Sequence, residues 1–105
     1  MKKVDRVEIK MNKQLCTGAA LDEQVYFCEL LKYDGKNETL YFELKNTELT
    51  TFSLDAIYDC KLQAGTEVLE CTGRVKERYI QGNRKVLKLN IKNGFYKINI
   101  KLVDK

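Results

Sequence analysis

Basic side chains alternate with apolar ones along the last third of the chain, and the chemistry they could support is the binding of an anion. Residues 71–105 carry 10 Lys/Arg against 2 Asp/Glu, a net charge of +8, whereas residues 1–70 carry 9 against 13, a net charge of −4. If the segments that hold these cations are neighbouring strands, the cations share one outward face. Such a face suits a phosphate-bearing ligand or an acidic protein surface. The candidate ligand-binding residues are Arg74, Lys76, Arg78, Lys88, Lys92, Lys97 and Lys101.

The same cations have a second interpretation, which is a solvated face whose charge prevents edge-to-edge pairing of strands. Like charges on adjacent strands repel one another unless salt or a bound anion screens them. Proteins that bind single-stranded nucleic acid interleave aromatic side chains with cations, and only Phe95 and Tyr79 stand near this face. We therefore predict no base-stacking platform, and the ligand-binding and solubilising interpretations both stay open.

Residues for catalysis or metal binding are hard to find in this sequence. The chain has no histidine, which excludes Ser–His and Cys–His nucleophiles and removes the commonest metal ligand. The acidic pairs that could act as acid and base fall in turns or at outward strand positions, where solvation explains them. No glycine-rich phosphate loop is present. We predict a protein that is not an enzyme and that uses no cofactor and no metal.

The four cysteines, Cys16, Cys28, Cys60 and Cys71, contain no C-x-x-C pair of the kind found in zinc ribbons or redox dithiols. Four cysteines allow three disulfide connectivities, but we expect reduced thiols in a cytoplasmic protein. The cytoplasmic expectation comes from the N-terminus, which is basic but lacks the apolar core of a secretory signal. No run of about 18 apolar residues exists to cross a membrane. Length predicts a single domain over residues 1–105.

Apolar residues recur with a period of two, which predicts strands that bury one face. The runs at 39–45, 56–62, 69–78, 87–92 and 96–102 all alternate in this way, and Asn93-Gly94 is a strong hairpin signal. We predict one strand near residues 4–11 and the others between about 25 and 102, connected as a meander. The expected fold is all-β, a small six-stranded antiparallel split barrel with little or no helix.

The run at 25–31 differs from the others because it is apolar on both faces. Val25, Phe27 and Leu31 fall on one face, and Tyr26, Cys28 and Leu30 fall on the other. A central strand that is buried on both sides is one explanation. The other is an exposed apolar patch that binds a partner.

The order and spacing of several segments resemble those of a known family. The segments are Leu40-Tyr41-Phe42-Glu43-Leu44, the turn segment 49–56, Gly65, Thr72-Gly73-Arg74-Val75 and Gly94-Phe95-Tyr96-Lys97-Ile98. From about residue 15 to 102 the chain resembles the PilZ superfamily, small six-stranded bacterial barrels that often sense cyclic di-GMP, including the PilZ-like N-terminal modules of flagellar-brake proteins. The resemblance implies the barrel fold and a regulatory setting.

The ligand-binding motifs of that family are degenerate here. Its D/N-x-S-x-x-G motif would fall on residues 51–56, where Ser53 matches but Thr51 and Ala56 replace the acidic or amide residue and the glycine. Its R-x-x-x-R motif should precede residue 25, where no arginine pair occurs. Arg74 and Arg78 have this spacing, but within a later strand, from which both would point outward and could hold a phosphate.

These observations predict a non-catalytic bacterial regulatory module that binds a protein partner and has lost the usual recognition of cyclic di-GMP. The alternative is a sensor of an anionic ligand, either cyclic di-GMP or nucleic acid, that binds through the basic face. The sequence indicates neither the oligomeric state nor the identity of the partner.

Overall fold

The computed structural model describes residues 4–93, and the strands it contains are all antiparallel. A single 3-10 turn at Leu49–Thr51 is the one helical segment of that range. The six strands are β1 (Arg6–Gln14), β2 (Val25–Asp34), β3 (Thr39–Leu44), β4 (Ala56–Ala64), β5 (Glu67–Gln81) and β6 (Arg84–Asn93). The all-β prediction is confirmed, and the six strands all lie within residues 6–93.

The strands close into a barrel in the order β1-β2-β3-β6-β5-β4, with β4 pairing back onto β1. The prediction of a continuous meander was wrong at one point, because β3 pairs with β6 and not with β4. The chain therefore forms two three-stranded meanders, β1–β3 and β4–β6, joined along β3–β6 and β1–β4. Closure gives each of the six described strands a hydrogen-bonded neighbour on both sides, which matters in a chain without proline to protect edges.

The predicted alternation places the expected side chains inside the barrel. Leu40, Phe42, Tyr58, Cys60 and Leu89 are each no more than 1% exposed. Because side chains point alternately to the two faces of a strand, one face of every strand can supply this shared interior. The alternation of the runs at 39–45, 56–62, 69–78 and 87–92 predicts which residues point inward. Those that the structure buries are Leu40, Phe42, Leu44, Ala56, Tyr58, Cys60, Leu62, Leu69, Cys71, Gly73, Val75, Leu87, Leu89 and Ile91.

Four β-bulges interrupt the regular register, and each inserts one extra residue into its strand. The extra residues are Asn12 in β1, Leu31 in β2, Lys76 in β5 and Lys92 in β6. A bulge shifts the alternation by one position, so that residues beyond it exchange faces relative to a regular strand. This shift alters the predicted orientation of one candidate site residue.

The loop after the 3-10 turn closes the end of the barrel at which β2, β4 and β6 begin. Phe52 is 1% exposed, and its ring centroid lies 5.3 Å from that of Tyr26 and 5.6 Å from that of Tyr58. The Ser53 amide donates a hydrogen bond of 2.9 Å to the Tyr58 hydroxyl. Three packed aromatic rings therefore fill this end of the interior.

The predicted strand at 96–102, together with Lys97 and Lys101, lies outside the described residues. Both neighbours of β6 in the barrel are already in place, since β6 pairs with β5 and with β3. Over residues 4–93, the structure contains no helix of the length and apolarity that crossing a membrane requires.

Candidate functional site

The segment that resembles a degenerate ligand motif forms part of the barrel closure. Ala56 is fully buried at the start of β4. The Ser53 hydroxyl accepts a hydrogen bond of 2.9 Å from the Asp55 amide, and the Thr51 amide donates to the Glu48 carbonyl at 3.1 Å. Thr51 and Ser53 therefore make local turn contacts, whereas Ala56 belongs to the barrel core and pairs with Gln14 of β1.

Arg78 does not share the outward face with Arg74, and this corrects the prediction made from their spacing. The extra residue Lys76 shifts the alternation, so Arg78 pairs opposite Leu87, a residue of the interior. Its Nη1 donates a hydrogen bond of 2.6 Å to the carbonyl oxygen of Phe52. Arg78 therefore stabilises the closed end of the barrel, and its charge is not part of the basic face.

Arg74 does point outward, as predicted, and it lies opposite Asn90 of β6. Its Nε donates a hydrogen bond of 3.0 Å to the carbonyl oxygen of Leu54, and its Nη2 lies 3.4 Å from Asp55 Oδ1. A guanidinium has five N–H donors, so these two contacts leave others directed toward solvent. Arg74 is thus positioned by the loop and still able to bind an anion.

A shallow polar depression of about 320 Å³ lies on the outer face of β5 and β6, beside the loop that precedes β4. We call it the basic depression, and it combines three cations with one carboxylate. Its lining residues are Leu54, Asp55, Arg74, Val75, Lys76, Asn90 and Lys92. The structure therefore brings together three of the predicted ligand-binding residues, Arg74, Lys76 and Lys92.

Lys88 lies apart from the basic depression, in a row with an aromatic ring and an acid. It pairs opposite Tyr41 on one side and Glu77 on the other. The ammonium groups of Lys88 and Lys32 lie 5.7 Å and 5.4 Å from the centroid of the Tyr41 ring. Cation–π attraction accounts for the position of both lysines. Tyr41 falls on the outward side of the 39–45 run, as the alternation predicts, and cations already contact its ring.

The outer face of β2 carries a row of exposed apolar side chains. Val25, Phe27 and Leu31 are 41%, 51% and 37% exposed, whereas Cys28 on the other face is buried. The explanation that β2 is a central strand buried on both sides is therefore wrong. The side chain of Phe27 contacts Arg6, whose guanidinium carbon lies 4.9 Å from the ring centroid. A second depression of about 330 Å³ adjoins this row and is lined by Glu8, Lys10, Val25, Asp59 and Lys61.

The thiols divide into one exposed and three buried groups, and all four are unbridged. Cys60 lies directly opposite Cys71 across β4 and β5. A hydrogen bond between these two side chains, together with burial, raises the pKa of Cys60, and burial raises the pKa of Cys28. Buried thiols that stay protonated are poor nucleophiles. Within residues 4–93, no group of three or more Cys, Asp or Glu side chains is arranged to hold a metal ion.

No protein-family model, no curated protein and no solved structure matches this chain.

Sequence reasoning missed part of the basic depression. Leu54 and Asp55 line this depression on the side of the loop that precedes β4. From the sequence we expected only a turn at these residues and assigned no role to their side chains. A signal for the bulges does exist, because Lys76-Glu77 and Lys92-Asn93 are consecutive polar residues that interrupt an alternating run. No local signal showed that the loop would fold back onto Arg74, since that contact joins residues 20 positions apart.

Proposed function

We propose that this chain is a non-catalytic bacterial regulatory module of the PilZ-like kind that binds a protein partner through the outer face of β2. The observation that supports it is the row of exposed apolar side chains Val25, Phe27 and Leu31. Exposed apolar side chains on one face of a small protein are typical of a binding surface, and here the exposed Glu29 lies between Phe27 and Leu31 along the strand. Because β2 is hydrogen-bonded to β1 and β3, the partner would contact side chains and not a free strand edge.

The surroundings of this row indicate the chemistry of the partner surface. Phe27 is the most exposed of the three residues, and the guanidinium of Arg6 lies over its ring. Glu8, Lys10, Asp59 and Lys61 place charges of both signs beside Val25. Protein interfaces commonly combine an apolar centre that contains an aromatic residue with a polar rim. The partner we expect presents apolar side chains surrounded by charges of both signs.

The closed barrel end supports the second part of the proposal, which is the loss of the family's usual cyclic di-GMP binding. Thr51, Ser53 and Ala56 occupy the place of the family motif, and each is engaged within the fold. Arg78 is also used internally, as the donor to Phe52. These contacts favour a structural role for the segment, and they support the proposed loss of the family's usual nucleotide contact.

Site-specific photocrosslinking in the source cells tests the protein contact. A photoreactive amino acid at position 27 should give adducts with one discrete protein, whereas the same group at Ile80 should not. Ile80 is a matched control because it is also an exposed apolar side chain, at 66%, but it lies near the β5–β6 hairpin. We expect Val25→Ser combined with Leu31→Ser to weaken binding of the identified protein by about ten-fold or more.

Two results would count against this proposal. One is the same set of adducts from positions 27 and 80, which would indicate collision and not binding. The other is an adduct formed only with a second copy of this chain, because that would make the face a dimer interface.

A further inference from the structure

Two of the four bulges lie on either side of the Arg74–Asn90 pair, one in each strand. Lys92 is the extra residue between the pairs Thr72–Asn93 and Gly73–Ile91. Lys76 is the extra residue between the pairs Val75–Leu89 and Glu77–Lys88. Bulges commonly redirect a side chain at a functional site. Here the extra residue of each bulge is an exposed lysine that lines the basic depression beside Arg74.

The charges in the basic depression are not balanced. Over residues 4–93, neither Lys76 nor Lys92 forms an ion pair, and the one carboxylate of the site, Asp55, contacts Arg74 at 3.4 Å. Three cations against one carboxylate on adjacent strands repel each other. The loop that carries Leu54 and Asp55 holds Arg74 against this repulsion through the hydrogen bond from Nε. An anion bound between the three cations would relieve the repulsion.

From this arrangement we propose that the basic depression binds the phosphoryl group of a small phosphorylated molecule. A guanidinium with free N–H donors can bind two oxygens of one phosphoryl group. The ammonium groups of the two lysines add positive charge, and they can bind phosphoryl oxygens in several orientations. The Asn90 side-chain amide supplies a further donor, since its present contacts to the carbonyls of Asn37 and Glu38 are long, at 3.5 Å and 3.4 Å.

The size of the site favours a small ligand over a nucleic-acid strand. Its volume of about 320 Å³ lies at the lower end of the range found for small-molecule sites. Leu54 and Asp55 form a wall at one side of the depression. The ring of Tyr41, which lies opposite Lys88 of β6, is already contacted by Lys32 and Lys88, and this disfavours stacking on a base there.

Two-dimensional NMR of the full chain, titrated with inorganic pyrophosphate and separately with a nucleoside diphosphate, tests the proposal. We expect saturable shifts centred on Arg74, Lys76, Asn90 and Lys92. The double variant Lys76→Ala/Lys92→Ala should lower the affinity by about ten-fold or more. The control, Lys13→Ala/Lys45→Ala, removes the same charge from exposed positions that line neither depression and should change the affinity less than about two-fold. Equal shifts with both anions would show that the protein recognises the phosphoryl group. Tighter binding of the nucleotide would show an additional contact to its base or sugar.

Three outcomes would overturn the proposal. One is the absence of saturable binding, and another is an equal loss of affinity in the control variant, which would reveal only general attraction to a basic protein. The third is binding of oligonucleotides that strengthens with their length while pyrophosphate does not bind, because that would identify a nucleic-acid surface. None of these results depends on the partner contact at Phe27, so this proposal and the proposed function fail or succeed separately.

Discussion

The Nη1 atom of Arg78 lies 2.6 Å from the carbonyl oxygen of Phe52, which joins the far part of β5 to the loop that closes the barrel. Four residues earlier, Arg74 makes a similar contact with the carbonyl oxygen of Leu54. Two arginines of one strand therefore hold two carbonyls of one loop, although a bulge places them on different faces of the strand. The loop stabilises the aromatic closure on its inner side and one wall of the basic depression on its outer side.

We expect Arg78→Ala to lower the free energy of unfolding by about 2 kcal/mol, because it leaves the carbonyl of Phe52 without this charged donor in a partly buried place. Urea denaturation monitored by circular dichroism measures the loss. Arg74→Ala is the matched control, since its side chain is 44% exposed, and it should cost less than about 1 kcal/mol. Equal losses from the two variants would contradict the distinct roles assigned to these arginines.

Gly73 should not tolerate a side chain. A Cβ at this position would clash with Leu89 Cδ2 and would lie 2.6 Å from the carbonyl oxygen of Asn90, and the backbone atom cannot move aside easily. Gly73→Ala should therefore lower the free energy of unfolding by about 1–3 kcal/mol through overpacking.

Thermal and urea unfolding of Gly73→Ala measure this effect. Gly82→Asn serves as the control, because φ at Gly82 is +66°, nothing lies within 4 Å of the added Cβ, and asparagine adopts this conformation at modest cost. A Gly73→Ala variant as stable as the unaltered protein would show that Leu89 repacks freely.

The thiols should react in two classes with an aromatic disulfide reagent. Cys16 is exposed, whereas Cys28, Cys60 and Cys71 are buried, and the raised pKa values of Cys28 and Cys60 keep these two protonated. We expect one thiol to react at least about 100-fold faster than the other three, which must wait for the barrel to open. Cys16→Ser should remove the fast phase, and denaturant should expose all remaining thiols. Two or more fast thiols in the native protein would disagree with the packing of the barrel.

Tyr26 should ionise only at strongly alkaline pH. Its hydroxyl donates a hydrogen bond of 2.7 Å to Asp22 Oδ2, and this bond, with a smaller effect of burial, raises the pKa of Tyr26 to about 12. The folded state therefore holds this proton more tightly than the unfolded state. Its stabilising contribution is complete below pH of about 10 and is lost as the pH rises from about 10 to about 12.

Alkaline titration of phenolate absorbance, with Tyr26→Phe to assign the group, measures this pKa. Asp22→Ala should return the pKa toward about 10. Asp59→Ala, which removes a carboxylate that contacts Asn12, should leave it unchanged. No change in the Asp22→Ala variant would show that the carboxylate does not hold the hydroxyl.

The local pattern of the chain predicts each strand of the described range, because the alternation of side chains along a strand is a property of neighbouring residues. Leu40, Phe42 and Leu44 are buried as their spacing requires, and the same holds for Leu87, Leu89 and Ile91. Charge predicts the outward positions of Arg74, Lys76 and Lys92 equally well. Burying a charge or exposing an apolar side chain costs free energy. This cost depends on the single residue concerned, so the orientation of each side chain can be predicted from the local sequence.

The pairing between distant strands and the register of that pairing cannot be predicted from any short segment of the sequence. That β6 joins β3 is a feature of the closed sheet as a whole, and the bulge at Lys76 is a feature of the pairing between β5 and β6. Because one extra residue exchanges the faces of a strand, Arg78 turns to Phe52 although its spacing from Arg74 predicts otherwise. Composition and alternation therefore predict a barrel with one basic face, whereas long-range hydrogen bonding determines which of the cations on that face lie together.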